Sequence, residues 1–220
     1  PLTARGRGTN TTGASIPVAH GAVISFERMN QILRLAPEDR IAVVQPGVLN
    51  GDLQIALAKH KLFWPPDPSS APFCSIGGNI ACNAGGPRAV KYGATRDNIL
   101  AFKAVTGTGE LVEFGSATNK NSSGFDLSRL LIGSEGGLAL VVEATLKLTP
   151  RPDARQMLRA LFRDVESAAH AVARVMNQAN TPSMLEFMDA TSIRLAREIG
   201  GADIEDAGAL ILLETDGEPH

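Results

Sequence analysis

The sequence predicts an α+β protein with a strand-rich first domain over residues 1–150 and the first part of an α/β domain over residues 151–220. Three observations lead to this prediction. Short apolar or alternating runs bounded by turn residues fill the first 150 residues, a pattern typical of strands. Glycine-rich segments separate these runs. After "LTPRPDAR", strand-like and helix-like runs alternate, which indicates a β-α-β-α-β order.

Composition limits the classes of function. The chain has 220 residues, 44% of them hydrophobic, and a net charge of −2 from 21 basic and 23 acidic residues. A chain of this length can bury a substantial core. The interspersed charges exclude a strongly basic surface for nucleic acid or anionic lipid. No apolar run reaches the roughly 18 residues of a membrane span, and no secretory signal begins the chain. We therefore expect a cytoplasmic protein without a nucleic-acid partner. The oligomeric state stays open.

The elements of the first domain follow from local patterns. Strands are predicted over residues 1–4, 22–26, 41–45, 99–106, 111–114 and 140–148. The stretch "NGDLQIALAKHK" predicts a helix over residues 51–61, capped by Asn50 or Asp52. A hairpin turn is expected in "VTGTGELV". The stretch "FDLSRLLIG" predicts a short helix capped by Asp126 and ended by Gly133.

The second domain is predicted from its alternating pattern. Strands are expected over residues 157–162, 184–188 and 209–214, with helices over residues 165–177 and 190–199. In the first of these helices, Met176 is expected to pack in the core. Strand-like runs stand at both ends of the sequence. They predict a fragment that lacks the N-terminal part of its first domain and the end of its second.

The opening stretch "PLTARGRGTNTTGAS" combines Gly6, Gly8 and Gly13 with hydroxyl and amide side chains. Glycines allow positive φ, so that successive backbone N–H groups can converge on one anion. The spacing fits neither the Rossmann G-x-G-x-x-G turn nor the Walker A loop. A phosphate bound here would therefore belong to another architecture.

Two further segments are rich in glycine. In "DPSSAPFCSIGGNIACNAGG", Ser75 is expected to cap a helix whose first turn contains Gly77, Gly78 and Asn79. Such a helix start presents bare N–H groups that stabilise an anion or an electron-rich carbonyl. The alternative for any one segment is that its glycines only permit close chain crossings. The third segment, "GSEGGLALVVEATLKLTP", is a glycine loop that leads directly into an apolar strand.

Other reactive residues give weaker signals. Cys74 and Cys82 are expected to be buried, reduced thiols. The four histidines, His20, His60, His170 and His220, have no ligand-like spacing, so no metal ligand and no catalytic base is assigned. Lys91 and Tyr92 follow the second glycine segment, and we expect the Tyr92 ring to pack rather than to contact a substrate.

Together, the three segments resemble the flavin-binding (PCMH-type) domain of the vanillyl-alcohol oxidase and p-cresol methylhydroxylase family. The resemblance covers residues 1 to about 150. "ARGRGTN" resembles that family's pyrophosphate loop, and "GSEGGLALVVEATLKL" resembles its "GSEGTLGIxTEATLKL" strand. The later sequence, including "LEFMD", is similar to the start of the cap domain in the branch of the glycolate oxidase flavin subunit and the D-lactate or D-2-hydroxyglutarate dehydrogenases.

The resemblance implies a non-covalent FAD site, because no histidine precedes His20 to form a covalent link to the flavin. The diphosphate would lie on the amides of the first loop. The second glycine segment would lie along the cofactor toward the flavin ring. The third segment would complete the site. The implied cofactor-binding residues are Arg5, Gly6, Arg7, Gly8, Thr9, Asn10, Pro66, Asp67, Ser75, Ile76, Gly77, Gly78, Asn79, Asn83, Glu135, Gly136, Leu140, Val141 and Val142. The chain departs from the family pattern at Gly137, Ala139 and Val142.

The resemblance also implies the reaction. A small 2-hydroxy acid would be oxidised to the 2-oxo acid by hydride transfer to flavin. An acceptor protein or quinone would then reoxidise the flavin. If that partner resides at the inner membrane, the protein would bind peripherally there. Carboxylate binding and proton abstraction would fall to later cap sequence, where a divalent metal is also expected. Two alternatives stay open: a non-catalytic flavin-binding module or subunit, and an oxidase of the same fold acting on another alcohol or sugar.

Overall fold

The computed structural model describes residues 1–218 as two compact units. Unit 1 comprises Pro1–Gly86 and Gly93–Arg151, and unit 2 comprises Pro87–Tyr92 and the chain from Pro152 onward. The assignment of a cofactor-binding domain and a cap to the two parts of the sequence stays a prediction.

Unit 1 is built mainly from strands. They are β1 (Leu2–Arg5), β2 (Ala22–Ser25), β3 (Ile32–Ala36), β4 (Ile41–Val44), β5 (Leu62–Phe63), β6 (Ile99–Thr106), β7 (Leu111–Gly115), β8 (Ala139–Lys147) and β9 (Thr149–Pro150). An antiparallel sheet has the order β3-β4-β8-β6-β7, while β1 and β2 form a parallel pair and β5 and β9 an antiparallel one. All six predicted strands are present. Three strands were not predicted. β5 and β9 have two residues each and show no periodicity. In β3, Leu33 is exposed although it is apolar, so the strand lacks a clean alternation.

The helices of unit 1 are α1 (Asn50–Ala58), α2 (Ile76–Cys82) and α4 (Ser128–Leu131). Helix α1 ends three residues earlier than predicted, and Lys61 turns the chain with a φ of 54°. The predicted side-chain caps of α1 and α4 are wrong. Leu49 and Leu127 occupy the cap positions without a side-chain hydrogen bond, because the candidate caps bind other groups. Asp126, for example, accepts from the Arg129 guanidinium at 3.0 Å.

The core of unit 1 lies between the sheet and the two longer helices. Trp64, Leu53 and Leu57 are fully buried there together with Ile76 and Leu146. Each such side chain contributes about 1.5–3 kcal/mol by leaving water. The Trp64 indole also donates to the Asn98 carbonyl at 3.1 Å. This core fixes one face of α1 and of α2, and so fixes where the segments around them lie.

Unit 2 has the predicted β-α-β-α-β order. Its elements are β10 (Ala154–Phe162), α5 (Val165–Met176), β11 (Met184–Asp189), α6 (Ala190–Glu198) and β12 (Ala209–Gly217), together with the short α3 (Ala89–Tyr92). The sequence order did not specify the pairing, and β12 runs antiparallel to both neighbours in the order β10-β12-β11. Asp164 and Asp189 cap the two long helices. The prediction for Met176 is wrong, since it is exposed at the end of α5.

Candidate functional site

Unit 1 contains a cavity of about 380 Å³, a volume within the usual range for small-molecule pockets. Three stretches form most of its wall. Loop 1 comprises residues 4–15, the α2 wall comprises residues 75–84, and loop 3 comprises residues 131–141. Each contains one of the three glycine segments. Residues that are far apart in the sequence therefore meet around one space.

Most of the predicted cofactor-binding residues line this cavity. They are Arg5, Gly6, Arg7, Gly8, Thr9, Asn10, Ser75, Gly77, Gly78, Asn79, Glu135, Gly136, Leu140 and Val141. Their position is a structural finding. Their contact with a cofactor stays a prediction.

Five predicted residues lie outside the cavity wall: Pro66, Asp67, Ile76, Asn83 and Val142. The Ile76 side chain is fully buried in the core. Asn83 has a φ of 47° and its Oδ1 accepts from the Arg96 N–H at 3.0 Å. Val142 falls at an irregularity of the β6–β8 pairing, where Lys103 pairs with Glu143 but Ala104 pairs with Val141. Local sequence carries no signal for any of these arrangements.

Several cavity residues were missed. Thr11, Thr12 and Ser15 continue the first glycine loop and could have been inferred from it. Cys82 follows Asn79 by three residues, so both lie on the same side of α2. Pro68, Ser69 and Ser70 belong to the second glycine segment and could have been inferred from it. Other wall residues come from other parts of unit 1 and have no local signal: Phe26, Pro46 and Leu131.

Loop 1 holds a run of unused backbone donors. None of the N–H groups from Gly6 to Thr12 donates a hydrogen bond to another described residue. Gly8 has a φ of 66°, a backbone conformation that glycine adopts without strain. Gly6 lies so close to Ser75 that a Cβ would overlap the Ser75 hydroxyl. Loop 1 can therefore present its amides to an anion.

The start of α2 differs from its prediction. Its first N–H groups are not bare, because Ile76 donates to the Val48 carbonyl at 2.9 Å and Gly77 donates to the Pro46 carbonyl at 2.8 Å. Gly78 donates to the Ser75 hydroxyl at 3.2 Å. A Cβ on Gly77 would lie only 2.6 Å from the Pro46 side chain. At Gly77 the alternative interpretation is right, since this glycine permits a close chain crossing.

Asn79 supplies an unused polar group on the cavity wall. The residue is 2% exposed, and its Nδ2 has no hydrogen-bond partner among the described residues. Only the Cys74 thiol, a weak acceptor, interacts with it. Buried donors in native proteins are rarely left unpaired. An unpaired donor beside a cavity is what a missing polar ligand would leave.

The three cavity segments meet at Cys82. Burial raises the pKa of the Cys82 thiol, and the nearby Glu135 carboxylate raises it further, while Asn10 acts in the opposite direction. Glu135 has a φ of 54° and its N–H donates to the Ala81 carbonyl at 2.9 Å. Both cysteines are free thiols, as predicted. Cys74 is buried, whereas Cys82 is only half-buried.

Lys91 and Tyr92 lie in unit 2. The Tyr92 hydroxyl donates to Asp216 Oδ2 at 2.6 Å, and Lys91 forms an ion pair with the same carboxylate. Burial and the bond to Asp216 raise the pKa of Tyr92. Burial works against ionisation of Asp216, but hydrogen bonds from Lys91 and Tyr92 outweigh it and lower the pKa of that carboxyl. These contacts hold α3 on β12 within unit 2.

Residues 1–218 lack a metal cluster and a membrane-spanning helix. No group of three or more His, Cys, Asp or Glu side chains there is arranged to hold a metal ion. None of the helices in the same residues has the length and apolar character needed to cross a membrane.

Comparison with known families decides the classification. The family described as FAD binding domain matches residues 1–115, and the family described as FAD linked oxidases, C-terminal domain, matches residues 151–220. The chain belongs to the FAD binding domain family. The predicted family and its FAD cofactor are thereby confirmed. The unused amides of loop 1 and the unpaired Asn79 donor fit this cofactor, because FAD carries both a diphosphate and polar ring atoms.

Named relatives align with nearly the whole chain. The chain is 39% identical over 218 residues to the glycolate oxidase subunit GlcD of Bacillus subtilis, covering 99% of the chain and 46% of that protein. It is 37% identical over 224 residues to the D-lactate dehydrogenase of Anaerostipes hadrus, covering 99% and 47%. A solved alkyldihydroxyacetonephosphate synthase shares the fold, with a TM-score of 0.83, 25% identity and coverage of 99% and 42%. The chain thus spans less than half of each protein, and the predicted fold is confirmed.

Proposed function

We propose that the chain is the cofactor-binding part of an enzyme that oxidises a small D-2-hydroxy acid to the 2-oxo acid with FAD. The observation that carries this proposal is the convergence of three glycine segments on one cavity, with the amides of loop 1 left unbonded. The names of the relatives, a glycolate oxidase subunit and a D-lactate dehydrogenase, support the substrate class.

Loop 1 would bind the diphosphate. The N–H groups of residues 6–10 have no acceptor among the described residues, and converging amides provide fixed positive partial charge for an anion. Arg5 lies against Gly8 and lines the same cavity, where it adds a full positive charge. Arg7 is held by Glu27 at 3.2 Å, so it contributes to the cavity mainly through its backbone.

The opposite wall would hold the flavin portion. Asn79 Nδ2 can donate to a ring carbonyl or nitrogen. Leu140 offers an apolar side chain beside Gly136 at the cavity, which favours an aromatic ring and excludes water from it. Val141 packs its side chain against the core. When FAD is bound, it accepts the hydride from the carbon that carries the substrate hydroxyl. The residues of this chain orient the cofactor and shield it from water.

Reoxidation requires an electron acceptor. We propose an acceptor protein or quinone as the partner. One relative is named as a subunit, which supports an acceptor held in a protein assembly.

The test is a titration of the purified chain with FAD, followed by anaerobic addition of glycolate, D-lactate or D-2-hydroxyglutarate. A bound flavin band that bleaches with one acid and not with its L-enantiomer, where one exists, supports the proposal. A bound band that persists with all three acids shows a cofactor-binding module without its substrate half, and the same titration on a longer chain then decides the hydroxy-acid reaction. Absence of FAD binding contradicts the cofactor assignment.

A further inference from the structure

Asn50 is fully buried at the start of α1 and lies outside the cavity wall. Its side chain bonds two residues, and its backbone N–H bonds a third. Nδ2 donates to the Pro66 carbonyl at 2.9 Å, and Oδ1 accepts from Gln54 Nε2 at 3.1 Å. Its backbone N–H donates to the Cys74 carbonyl at 2.9 Å.

These contacts join the two ends of one loop. Residues 66–74, "PDPSSAPFC", leave Asn50 at Pro66 and return to it at Cys74. The middle of the loop, residues 68–70, lines the cavity. Ser75, the residue after Cys74, caps α2 and also lines the cavity. We call residues 66–74 the proline loop.

Neighbouring contacts make this junction rigid. Gln54 Nε2 also donates to the Trp64 carbonyl at 2.7 Å, which fixes the amide that orients Asn50. A Cβ on Gly51 would lie 2.8 Å from the Pro72 carbonyl, so the start of α1 rests directly on the proline loop. Leu49 and Ser75 form an isolated antiparallel bridge. The Asn50 amide is thus oriented on both sides.

We propose that Asn50 is a positioning residue for the cofactor, because its carboxamide holds one end of the proline loop at Pro66 while its backbone N–H holds the other end at Cys74, directly before the Ser75 cap of α2. This inference rests on the proposed FAD site. Removal of the Nδ2 donor leaves the Pro66 carbonyl without its partner and frees the cavity wall at residues 68–70. The cavity then loses the spacing between its proline-loop wall and its α2 wall.

Asn50→Asp is the decisive substitution. It keeps the shape of the side chain but replaces the Nδ2 donor with a carboxylate oxygen that repels the Pro66 carbonyl. Because Asn50 is fully buried, the new carboxylate also carries a desolvation cost, so circular dichroism must show that α1 persists. The matched control is Asn121→Asp. Asn121 is exposed, and its Oδ1 accepts from the Ser123 N–H, a role that aspartate retains.

Three measurements test the proposal: the FAD dissociation constant, the shape of the bound flavin band, and the alkylation rate of Cys74 in the FAD-free chain, followed by peptide mapping. We expect Asn50→Asp to weaken FAD binding at least tenfold, to alter the fine structure of the band, and to expose Cys74, which is 2% exposed in the native fold. Asn121→Asp should match the native chain in all three.

The outcomes separate this inference from the proposed function. If the native chain binds FAD and Asn50→Asp binds it equally well with Cys74 still protected, the positioning role is overturned while the FAD site stands. If the native chain binds no FAD, the proposed function fails, and exposure or protection of Cys74 still decides whether Asn50 holds the proline loop.

Far-UV circular dichroism shows whether Asn50→Asp folds. If it does not fold, a second variant tests the proposal. Gln54→Met removes the bond that orients Asn50 but leaves its bond to Pro66, on a half-buried position of α1. We expect FAD binding about threefold weaker with a shifted flavin band. Unchanged binding and an unchanged band in this variant would overturn the positioning role.

Discussion

At the scale of single residues, the cavity depends on groups whose own bonding is incomplete. The loop 1 amides and Asn79 Nδ2 have no acceptor in the described chain, although buried or ordered polar groups are usually paired. Gly8 takes a left-handed conformation to form the loop. A ligand that accepts from these donors binds the folded state alone and therefore stabilises it.

Gly8→Ala should therefore weaken FAD binding about tenfold. A side chain at a φ of 66° costs about 1–2 kcal/mol, which pushes loop 1 away from the conformation that gathers its amides. Gly107→Ala is the matched control, because a Cβ there meets nothing within 4 Å. Isothermal titration with FAD compares the two variants. Equal affinities would show that the Gly8 conformation does not matter for binding.

Cys82 should report occupancy of the cavity. Because burial and Glu135 raise its pKa, the thiolate fraction at pH 7 is smaller than that of a free thiol, and alkylation should accelerate only as pH rises above the ordinary value of about 8.5. We expect saturating FAD to slow this alkylation at least tenfold, as measured by mass spectrometry.

Replacement of Glu135 tests whether its carboxylate raises the pKa of Cys82. Glu135→Gln removes the negative charge and should speed Cys82 alkylation at pH 7 in the FAD-free chain. Glu113→Gln, on a strand that does not line the cavity, should have no effect. If neither Glu135→Gln nor FAD changes the alkylation rate of Cys82, the thiol does not lie beside the cavity.

At the scale of elements, α1 and α2 carry the site without presenting a free helix end to it. The first turn of α2 donates to carbonyls of residues 46 and 48, and α1 begins at the buried Asn50. Both helices bury apolar side chains in the core of unit 1. Their packing therefore decides where the cavity wall lies.

Leu53→Ala should lower the free energy of unfolding by about 2–5 kcal/mol, because Leu53 is fully buried and the substitution leaves a cavity. The matched control is Ile55→Ala on the same helix. Ile55 is 75% exposed, so its loss should change stability by about 0.5 kcal/mol or less. Urea unfolding followed by Trp64 fluorescence measures both, and similar losses in the two variants would contradict the assigned burial.

At the scale of the whole molecule, each unit has its own hydrophobic cluster. The single tryptophan of the chain, Trp64, is buried in unit 1. In unit 2, the Asp216 carboxylate joins Lys91 and Tyr92. Trp64 fluorescence therefore reports on unit 1, while circular dichroism reports on both units.

Asp216→Asn should destabilise unit 2 by about 1–3 kcal/mol at pH 7, since it removes the charge that Lys91 and Tyr92 bind. The folded pKa of Asp216 is lowered. Its contribution is therefore present above the ordinary Asp pKa of about 4 and is lost as pH falls through the folded value. The difference between variant and native chain should shrink at pH 3.

Urea unfolding by two probes checks this prediction. The circular dichroism midpoint should fall in Asp216→Asn, while the Trp64 fluorescence midpoint should stay constant. Asp206→Asn, at an exposed ion pair with Arg197, is the control and should change neither midpoint measurably. A difference between Asp216→Asn and the native chain that is as large at pH 3 as at pH 7 would contradict the electrostatic role.

The sequence by itself determined four of the five strands of the main sheet, helix α1 and the three glycine segments. It did so because periodicity and turn residues act over a few neighbouring positions. Motif resemblance added the family and the FAD cofactor. Most of the predicted cofactor residues line one cavity. They could be predicted because the glycines that allow these loops to form are visible in the sequence itself.

Tertiary structure alone decided how the segments use their polar groups. The amides at the start of α2 looked free in the sequence, but carbonyls of residues 46 and 48 satisfy them. Asn50 looked like a helix cap, but it joins Pro66 to Cys74. The partners in each case are 16 to 31 residues apart. A local pattern specifies which donors exist, whereas packing of distant segments specifies which acceptor each donor meets.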